Sequence, residues 1–200
     1  MWTKVALVCL VMLAVGTNVE STRIHEKPTQ DPNCPDGWRS YDGHCYIVPS
    51  MLGNWEEAKT HCEALQGYLV EISSSSENMF VANLLTPATH PRMVTRERRP
   101  YCQHSEYFAR SAWIGLSDRD NESQFKWSSS GQEATYTSWI TSPRQPDIAR
   151  SDFEDCVEIY QGADRRWGCQ WNDKKCQCFR AFVCEREQTD DTDLGETRVS

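Results

Sequence analysis

Five side chains in the second half of the sequence carry oxygen atoms that could together bind a hard divalent cation. One pair, an amide and an acid, flanks a proline; a glutamate follows shortly after it; a second amide and acid stand next to each other further on. Calcium takes about six to eight oxygen ligands at roughly 2.3–2.6 Å, and both types of side chain offer such oxygens. The candidate ligands are Gln145, Asp147, Glu154, Asn172 and Asp173.

The proline between Gln145 and Asp147 bears on how that pair could share one ion. A trans peptide would send the two neighbouring side chains apart. A cis peptide would fold both back towards one point, at little cost beyond that of an ordinary bond before proline. The three acids of the set exceed the charge of one calcium ion, which favours binding. We therefore predict that the two segments meet around Ca²⁺.

Composition limits the partners that such a site could serve. The chain has 200 residues and a formal net charge of −8, which argues against nucleic acid and suits divalent cations and neutral ligands. Eight tryptophans indicate a substantial core. No pair of nucleophile and base stands out, so the sequence favours a binding protein over an enzyme.

The first residues have the pattern of a secretory signal peptide. Lys4 precedes an apolar run that ends near Gly16, with small residues at the spacing that signal peptidase recognises. We predict a signal peptide over 1–16, with cleavage between 16 and 21, and a secreted, extracellular protein without a membrane span. The ten cysteines then fall to nine, because Cys9 leaves with the signal; in an oxidising compartment the rest favour disulfides.

The remaining chain divides into three parts. Residues 17–33 are polar and contain two prolines, which predicts a flexible lead, and residues 186–200 are acidic and lack aromatic side chains, which predicts a disordered tail. Between them, residues 34–185 form one cysteine-framed block without internal repeats.

Two helices are expected in the first half of this block. Asn54 with Glu57, and Ser74 with Glu77, both have the spacing of a capping box, and each pair precedes residues with helical apolar periodicity. From Trp113 onward, short apolar runs alternate with turns, as in antiparallel strands. The sequence therefore predicts an α+β fold.

Several of these segments, taken in order, resemble the C-type lectin-like domain family. The resemblance covers Cys34 to Glu185 and rests on "CPDGW…CY", "WEEAKTHC", "LVEI", "WIGL", "EDCVEI", "WND" and "FVCE". It implies a C-type lectin-like fold with two helices, small antiparallel sheets and a long calcium-binding loop region. It also implies the disulfides Cys34–Cys45, Cys62–Cys184 and Cys156–Cys176.

The resemblance assigns the five oxygen ligands to the sugar-binding calcium site of that family. "QPD" resembles the galactose-type order of amide and acid, whereas "EPN" is the mannose-type order. Galactose-type members usually carry a tryptophan soon after this motif; here Ile148 follows, and only Phe153 is aromatic nearby. The resemblance also implies a second, weaker metal site, at Asp118, Glu122 and Asp155.

Two functions from different classes follow. The first is a secreted, calcium-dependent lectin for terminal galactose-type glycans, used in glycan recognition such as innate defence. The second is an interaction module that keeps the fold but binds no sugar. The complete ligand set favours the first, and the missing tryptophan favours the second.

Three cysteines and one sequon remain. Cys169 and Cys178 flank the "WND" loop, where antiparallel strands could bring them together, so we expect a Cys169–Cys178 disulfide. Cys102 lies in a long insertion and could link two chains into a dimer, or could instead capture Cys169 or Cys178. Asn121 begins an Asn-Glu-Ser glycosylation sequon.

Overall fold

The computed structural model describes residues 32–85, 102, 111–146, 154–163 and 167–189. Two helices and nine strands lie in these ranges. The signal peptide, most of the flexible lead and the end of the acidic tail lie outside the described residues. Neither described helix is long and apolar enough to cross a membrane.

The first sheet brings the two ends of the domain together. It has four strands in the order β1-β2-β9-β3, formed by Arg39–Tyr41, His44–Ile47, Cys184–Glu187 and Tyr68–Leu69. Strand β9 pairs antiparallel with both β2 and β3. A strand from the C-terminal end of the domain therefore lies between two strands from its N-terminal end.

Both predicted helices form. Helix α1, Trp55–Ala64, begins with the expected capping box, in which Asn54 and Glu57 each bond the other's backbone N–H. Helix α2, Ser75–Leu84, has Ser74 as its N-cap, but the predicted reciprocal bond from Glu77 is wrong. The Glu77 carboxylate accepts instead from Ser73 and from the hydroxyl of Tyr46, because α2 packs against strand β2 there.

The second sheet carries the candidate ligands. Its main path runs β5-β4-β6-β7, formed by Lys126–Trp127, Ser111–Ser117, Cys156–Tyr160 and Trp171–Lys174. These pairings are antiparallel, as predicted. A short strand β8, Ala181–Phe182, adds to β4 in parallel, which the sequence pattern did not indicate.

The final apolar segment, "AFVCE", forms two strands and not one. Ala181 and Phe182 belong to the second sheet, whereas Cys184 opens β9 in the first sheet. Val183 lies at the crossing, where its N–H donates to Trp113 and its carbonyl accepts from Val70. This short stretch therefore ties the two sheets together.

The ordered domain continues past its predicted end. Strand β9 runs to Glu187, pairing Arg186 with Cys45 and Glu187 with His44. Thr189 N–H then donates to the carbonyl of Asn33. The expectation that the flexible tail starts at 186 and that the lead extends through 33 is thus wrong by a few residues at each end, because the two segments hydrogen-bond to each other.

Four disulfides frame the fold. The three that the family resemblance implied are present, Cys34–Cys45, Cys62–Cys184 and Cys156–Cys176. The fourth is Cys102–Cys178, so the predicted Cys169–Cys178 bond is wrong and Cys169 is a free thiol.

The position of Cys102 explains this correction. Cys102 and Cys178 are fully buried in one cluster with the other disulfides, and their Cα atoms are 5.3 Å apart. Cys169 lies on a turn at the other end of β7, where its Sγ faces Gly162. A covalent dimer through Cys102 is also excluded by this pairing, since the sulfur is already bonded within the chain.

Candidate metal centre

The segment that carries Gln145 is anchored to strand β7. Ile140 N–H donates to the carbonyl of Trp171 at 2.9 Å, and Gln145 N–H donates to the carbonyl of Ile140 at 2.8 Å. The Gln145–Pro146 peptide bond is cis. Trp171 precedes the second amide–acid pair directly, so Gln145 lies beside the end of β7 that bears Asn172 and Asp173.

The side-chain oxygen of Gln145 fits a cation ligand. This Oε1 atom is buried and accepts no hydrogen bond from any described residue. A buried amide oxygen without a donor costs free energy, on the order of 1–3 kcal/mol. A calcium ion takes such an oxygen as a ligand, which would remove that cost.

Asn172 and Asp173 are consecutive residues of β7, and both are buried. The Nδ2 atom of Asn172 donates to Glu158 at 3.1 Å and to the main-chain oxygen of Asp173 at 2.6 Å. Across the ladder, Asn172 pairs with Glu158 and Asp173 pairs with Val157. The nitrogen of the Asn172 amide is therefore engaged inside the protein, which leaves its oxygen as the remaining polar atom.

Glu154 lies just before strand β6 and faces the end of β7. Its Oε1 atom accepts from the ammonium of Lys174 at 2.8 Å, with both side chains largely buried. Lys174 therefore forms an ion pair with the carboxylate that the sequence predicts as a metal ligand. Any cation bound here competes with, or binds beside, this positive charge.

The fifth predicted ligand, Asp147, lies outside the described residues. Across the described ranges, no group of three or more His, Cys, Asp or Glu side chains is placed to hold a metal ion. Two of the predicted ligands are amides, so Glu154 and Asp173 are the acidic members of the predicted ligand set within the described residues. The described donor set agrees with a calcium site of mixed amide and carboxylate oxygens, and the site as a whole stays a prediction.

Asp118 lies near the other two acids of the expected second site, Glu122 and Asp155, but the three are not placed as a group that could hold a metal ion. Asp118 is 6% exposed and its N–H donates to the carbonyl of Asp155. Burial raises the pKa of Asp118, and the nearby charges of Glu122 and Asp155 raise it further, against a hydrogen bond from Ser123 N–H. The Oδ1 atom of Asp118 is buried without a donor from the described residues. Metal binding there stays a prediction.

A third cluster of acids lies on the first sheet, away from both predicted sites. Glu185 and Glu77 are buried, and the hydroxyl of Tyr46 donates to both, at 3.4 and 2.8 Å. Burial raises the pKa of Glu185 to about 8, with Glu77 and Glu71 adding to the shift. His44 Nδ1 lies 2.8 Å from the Glu185 carboxylate. No sequence pattern indicates this cluster, because its members come from four separate segments.

Three further residues next to the candidate centre were missed. Lys174 contacts Glu154, and Glu158 with Arg180 forms a fully buried ion pair at 2.7 Å beside Asn172. The segment "CVEIY" has one charged residue within an otherwise apolar strand pattern. That pattern could have indicated that Glu158 is buried with a partner. Its partner Arg180 could not be named, since the pairing depends on how β8 returns to the sheet.

Comparison with known proteins agrees with this architecture. The lectin C-type domain family model matches residues 52–186. A perlucin-like protein of Mytilus galloprovincialis is 29% identical over 79% of this chain and 86% of its own length. The carbohydrate-recognition domain of the mouse scavenger receptor C-type lectin is 28% identical, with a TM-score of 0.59 over 78% of this chain and 98% of that domain.

The chain belongs to the C-type lectin domain family. Members of this family are binding modules and not enzymes. The fold is also shared by a calcium-independent type II antifreeze protein, at 19% identity and a TM-score of 0.58 over 78% of this chain and 95% of that one, a likeness that shows the fold alone.

Proposed function

We propose that this protein is a calcium-dependent carbohydrate-binding protein of galactose type. The observation that carries the proposal is the buried side-chain oxygen of Gln145, which accepts from none of the described residues and lies beside the end of β7 that bears Asn172 and Asp173. Gln145, Asp147, Glu154, Asn172 and Asp173 would hold the ion. Relatives support the sugar ligand, since the mouse scavenger receptor domain is named for carbohydrate recognition.

The side chains around the ion would select the sugar. A bound calcium ion would offer a centre that two vicinal sugar hydroxyls can coordinate. The Gln145 amide, with its oxygen on the cation, keeps an NH2 group that can donate to one hydroxyl. The carboxylates of Asp147 and Glu154 can accept from the same pair of hydroxyls. The order of amide before acid in "QPD" is the feature that favours galactose-type glycans.

We place this activity outside the cell. The proposal combines a signal peptide over 1–16, an exposed sequon at Asn121 and four disulfides within the described domain. Disulfides persist in oxidising compartments.

Thermal melting with calcium and with a chelator tests the metal site. A ligand at 100 times its dissociation constant stabilises the folded state by about 2.7 kcal/mol, so calcium should raise Tm by several degrees. Asp173→Ala should lose this shift and lose chelator-sensitive binding on a glycan array, because it removes a charge and a ligand together. Asp36→Ala, which removes an exposed acid from the first hairpin, should keep both. A wild-type Tm that ignores calcium would refute the proposal.

The second candidate is a module that binds calcium but no sugar. It is favoured by the Asn172 amide, whose nitrogen is already bonded within the protein and cannot donate to a hydroxyl. A calcium-induced rise in Tm together with a blank glycan array would select this function. Array binding that the chelator abolishes would select the first.

A further inference from the structure

A polar groove lies between helix α1 and the loop of residues 118–125, which joins β4 to β5. Its volume is about 480 Å³, within the range of roughly 300–1,000 Å³ that small-ligand sites have in proteins. Strand β5 lines the groove, and β4 and β6 separate β5 from β7, which amounts to three interstrand spacings or roughly 14 Å. Among the described residues, the lining includes none of those predicted for either metal site.

The charged side chains of this groove balance one another. Arg119 forms an ion pair with Glu56 of α1. Lys59 lies 3.4 Å from Glu63, one turn further along the same helix. One basic and one acidic side chain of the lining remain, Lys126 and Asp120. Because no field of one sign builds up in such a groove, it favours a neutral ligand over an ion.

The rest of the lining combines aromatic surface with hydrogen-bonding groups of both kinds. Trp55 and Trp127 line the groove and are 3% and 6% exposed, so each presents a small part of its ring. Gln124 and Ser128 supply both donors and acceptors. N-acetylglucosamine has hydroxyl groups, an amide group, an apolar face and no charge. The lining therefore has the chemistry that a neutral amino sugar requires.

Asn121, the first residue of the sequon, also lines this groove and is exposed. Its main-chain N–H donates to the carbonyl of Asp118 at 3.1 Å, and its carbonyl accepts from Gln124 N–H at 3.0 Å. Ser123, the third residue of the sequon, donates its main-chain N–H to Oδ2 of Asp118 at 2.8 Å. These bonds hold the turn without using the side-chain amide of Asn121, whose Nδ2 atom is the point of attachment for a glycan.

We propose that the first sugars of a glycan on Asn121 lie in this groove and join the loop of residues 118–125 to helix α1. On attachment, Nδ2 forms a bond to C1 of the first N-acetylglucosamine, loses one proton and displaces the pyrophosphate of a lipid-linked oligosaccharide donor. A tethered ligand has an effective concentration on the order of millimolar, so weak contacts with the groove are sufficient. The inference rests on the secretion part of the proposed function, where such glycans are added, and does not depend on calcium.

A double-mutant cycle separates docking in the groove from the general effect of carrying a glycan. Ser123→Ala removes the glycan and keeps the main-chain bond from residue 123 to Asp118. The sequence has no other Asn-X-Ser/Thr sequon, so this variant is free of N-linked glycans. Gln124→Ala with Lys126→Ala removes two polar side chains from the groove. Each protein is secreted from the same cells, and its Tm is measured in calcium-free buffer.

The readout is the rise in Tm that the glycan causes in each background. A roughly tenfold preference for the docked arrangement should make the wild type melt about 3 °C or more above Ser123→Ala. This rise should fall by half or more in Gln124→Ala/Lys126→Ala. Arg39→Ala, which changes the charge by the same amount at an exposed position of the first sheet, should keep the full rise. An equal rise in all three backgrounds would overturn the inference, since a glycan that extends into solvent predicts that result.

A measurement on the wild type keeps the test decisive even where a variant does not fold. With a ¹³C-labelled glycan, the acetyl methyl protons of the first two sugars should show nuclear Overhauser contacts to the indole protons of Trp55 or Trp127. The resonances of these two sugars should be broader than those of the outer sugars, because docked sugars tumble with the domain. First sugars as mobile as the outer ones, without contacts to either indole, would overturn the inference.

The outcome for the glycan is distinguishable from the outcome for calcium. A chain recovered from the medium whose Asn121 carries no glycan by mass spectrometry overturns this inference and leaves the lectin proposal standing. A chain that the cells retain refutes secretion, and the glycan falls with it. A Tm that ignores calcium refutes the calcium site and leaves the groove and its glycan unaffected.

Discussion

The ammonium of Lys174 lies 2.8 Å from Oε1 of Glu154, with the lysine side chain 14% exposed. A carboxylate proposed to bind calcium is therefore bonded to a cation of the chain itself. Unit charges about 4 Å apart near a protein surface interact by about 4 kcal/mol at an effective dielectric constant of 20. The ion pair would therefore weaken calcium binding at the proposed site by competing for Glu154.

Lys174→Gln should strengthen calcium binding. It removes the competing charge and frees the Glu154 carboxylate, so we expect the dissociation constant for calcium to fall roughly tenfold, or about 1.4 kcal/mol. Lys175→Gln changes the net charge equally at the next position and should have a smaller effect. Titration calorimetry on the three proteins measures this, and equal affinities would show that Lys174 does not oppose the ion.

Glu185 should make stability depend on pH. Its pKa is raised to about 8 in the folded protein, mainly by burial, against about 4.3 in the unfolded chain. Between these two pH values Glu185 is mainly protonated in the folded protein and mainly ionised in the unfolded chain. The contribution of Glu185 to the free energy of unfolding is therefore fully present below about pH 4. It is lost as pH rises through about 8, by up to about 1.4 kcal/mol per pH unit.

Urea unfolding in chelator between pH 5 and 9 measures this loss. Glu185→Gln should flatten the decline, because a neutral amide cannot lose a proton. Glu187→Gln, on the same strand but with its side chain 77% exposed, should keep the wild-type slope. Parallel curves for the wild type and Glu185→Gln would place the titration elsewhere.

Exchanging the amide and the acid around the proline should change the sugar preference. Gln145→Glu with Asp147→Asn keeps the number of oxygens and the total charge, so calcium should still bind. The donor and acceptor that face the sugar are exchanged, which should shift preference from galactose, with one axial and one equatorial hydroxyl, towards mannose, with two equatorial hydroxyls. Competition between the two sugars at fixed calcium measures the ranking.

Ile148→Trp is the matched variant for that experiment. An aromatic ring against the apolar face of galactose adds on the order of 1 kcal/mol, so this change should strengthen the galactose preference about fivefold. An unchanged ranking in both variants would mean that "QPD" holds the metal without selecting the ligand, and would favour the non-sugar module.

Thiol chemistry should reveal one free cysteine in the mature chain. Cys169 is the free cysteine of the described residues, and burial raises the pKa of its thiol. We expect slow reaction with a thiol reagent in the native state, one thiol per chain after unfolding, and none in Cys169→Ser. Cys102→Ser with Cys178→Ser should cost about 2–5 kcal/mol. A disulfide-linked dimer that persists in Cys169→Ser on a non-reducing gel would contradict the Cys102–Cys178 pairing.

Local patterns in the sequence were sufficient for the helices and for most of the strands. Asn54 with Glu57 defines a helix start because both hydrogen bonds of the box form within four residues. The same spacing at Ser74 and Glu77 predicted a second box, yet the Glu77 carboxylate bonds Ser73 and Tyr46. A helix cap forms between residues that are close in the sequence, but its side chains can also hydrogen-bond residues that are distant in the sequence.

The sequence by itself determined the α+β class and, through the family resemblance, three of the disulfides; the oxygen-rich ligand set that it indicates stays a prediction. Tertiary structure decided the Cys102–Cys178 bond, whose cysteines are 76 residues apart. It also decided the Glu158–Arg180 pair and the direction of the Asn172 amide. Residue types and their spacing in the sequence predict hydrogen bonds that form within one turn or one helix. Which distant side chains meet in the interior depends on the order of strands in the sheets, and buried charges then bind whichever partner that order supplies.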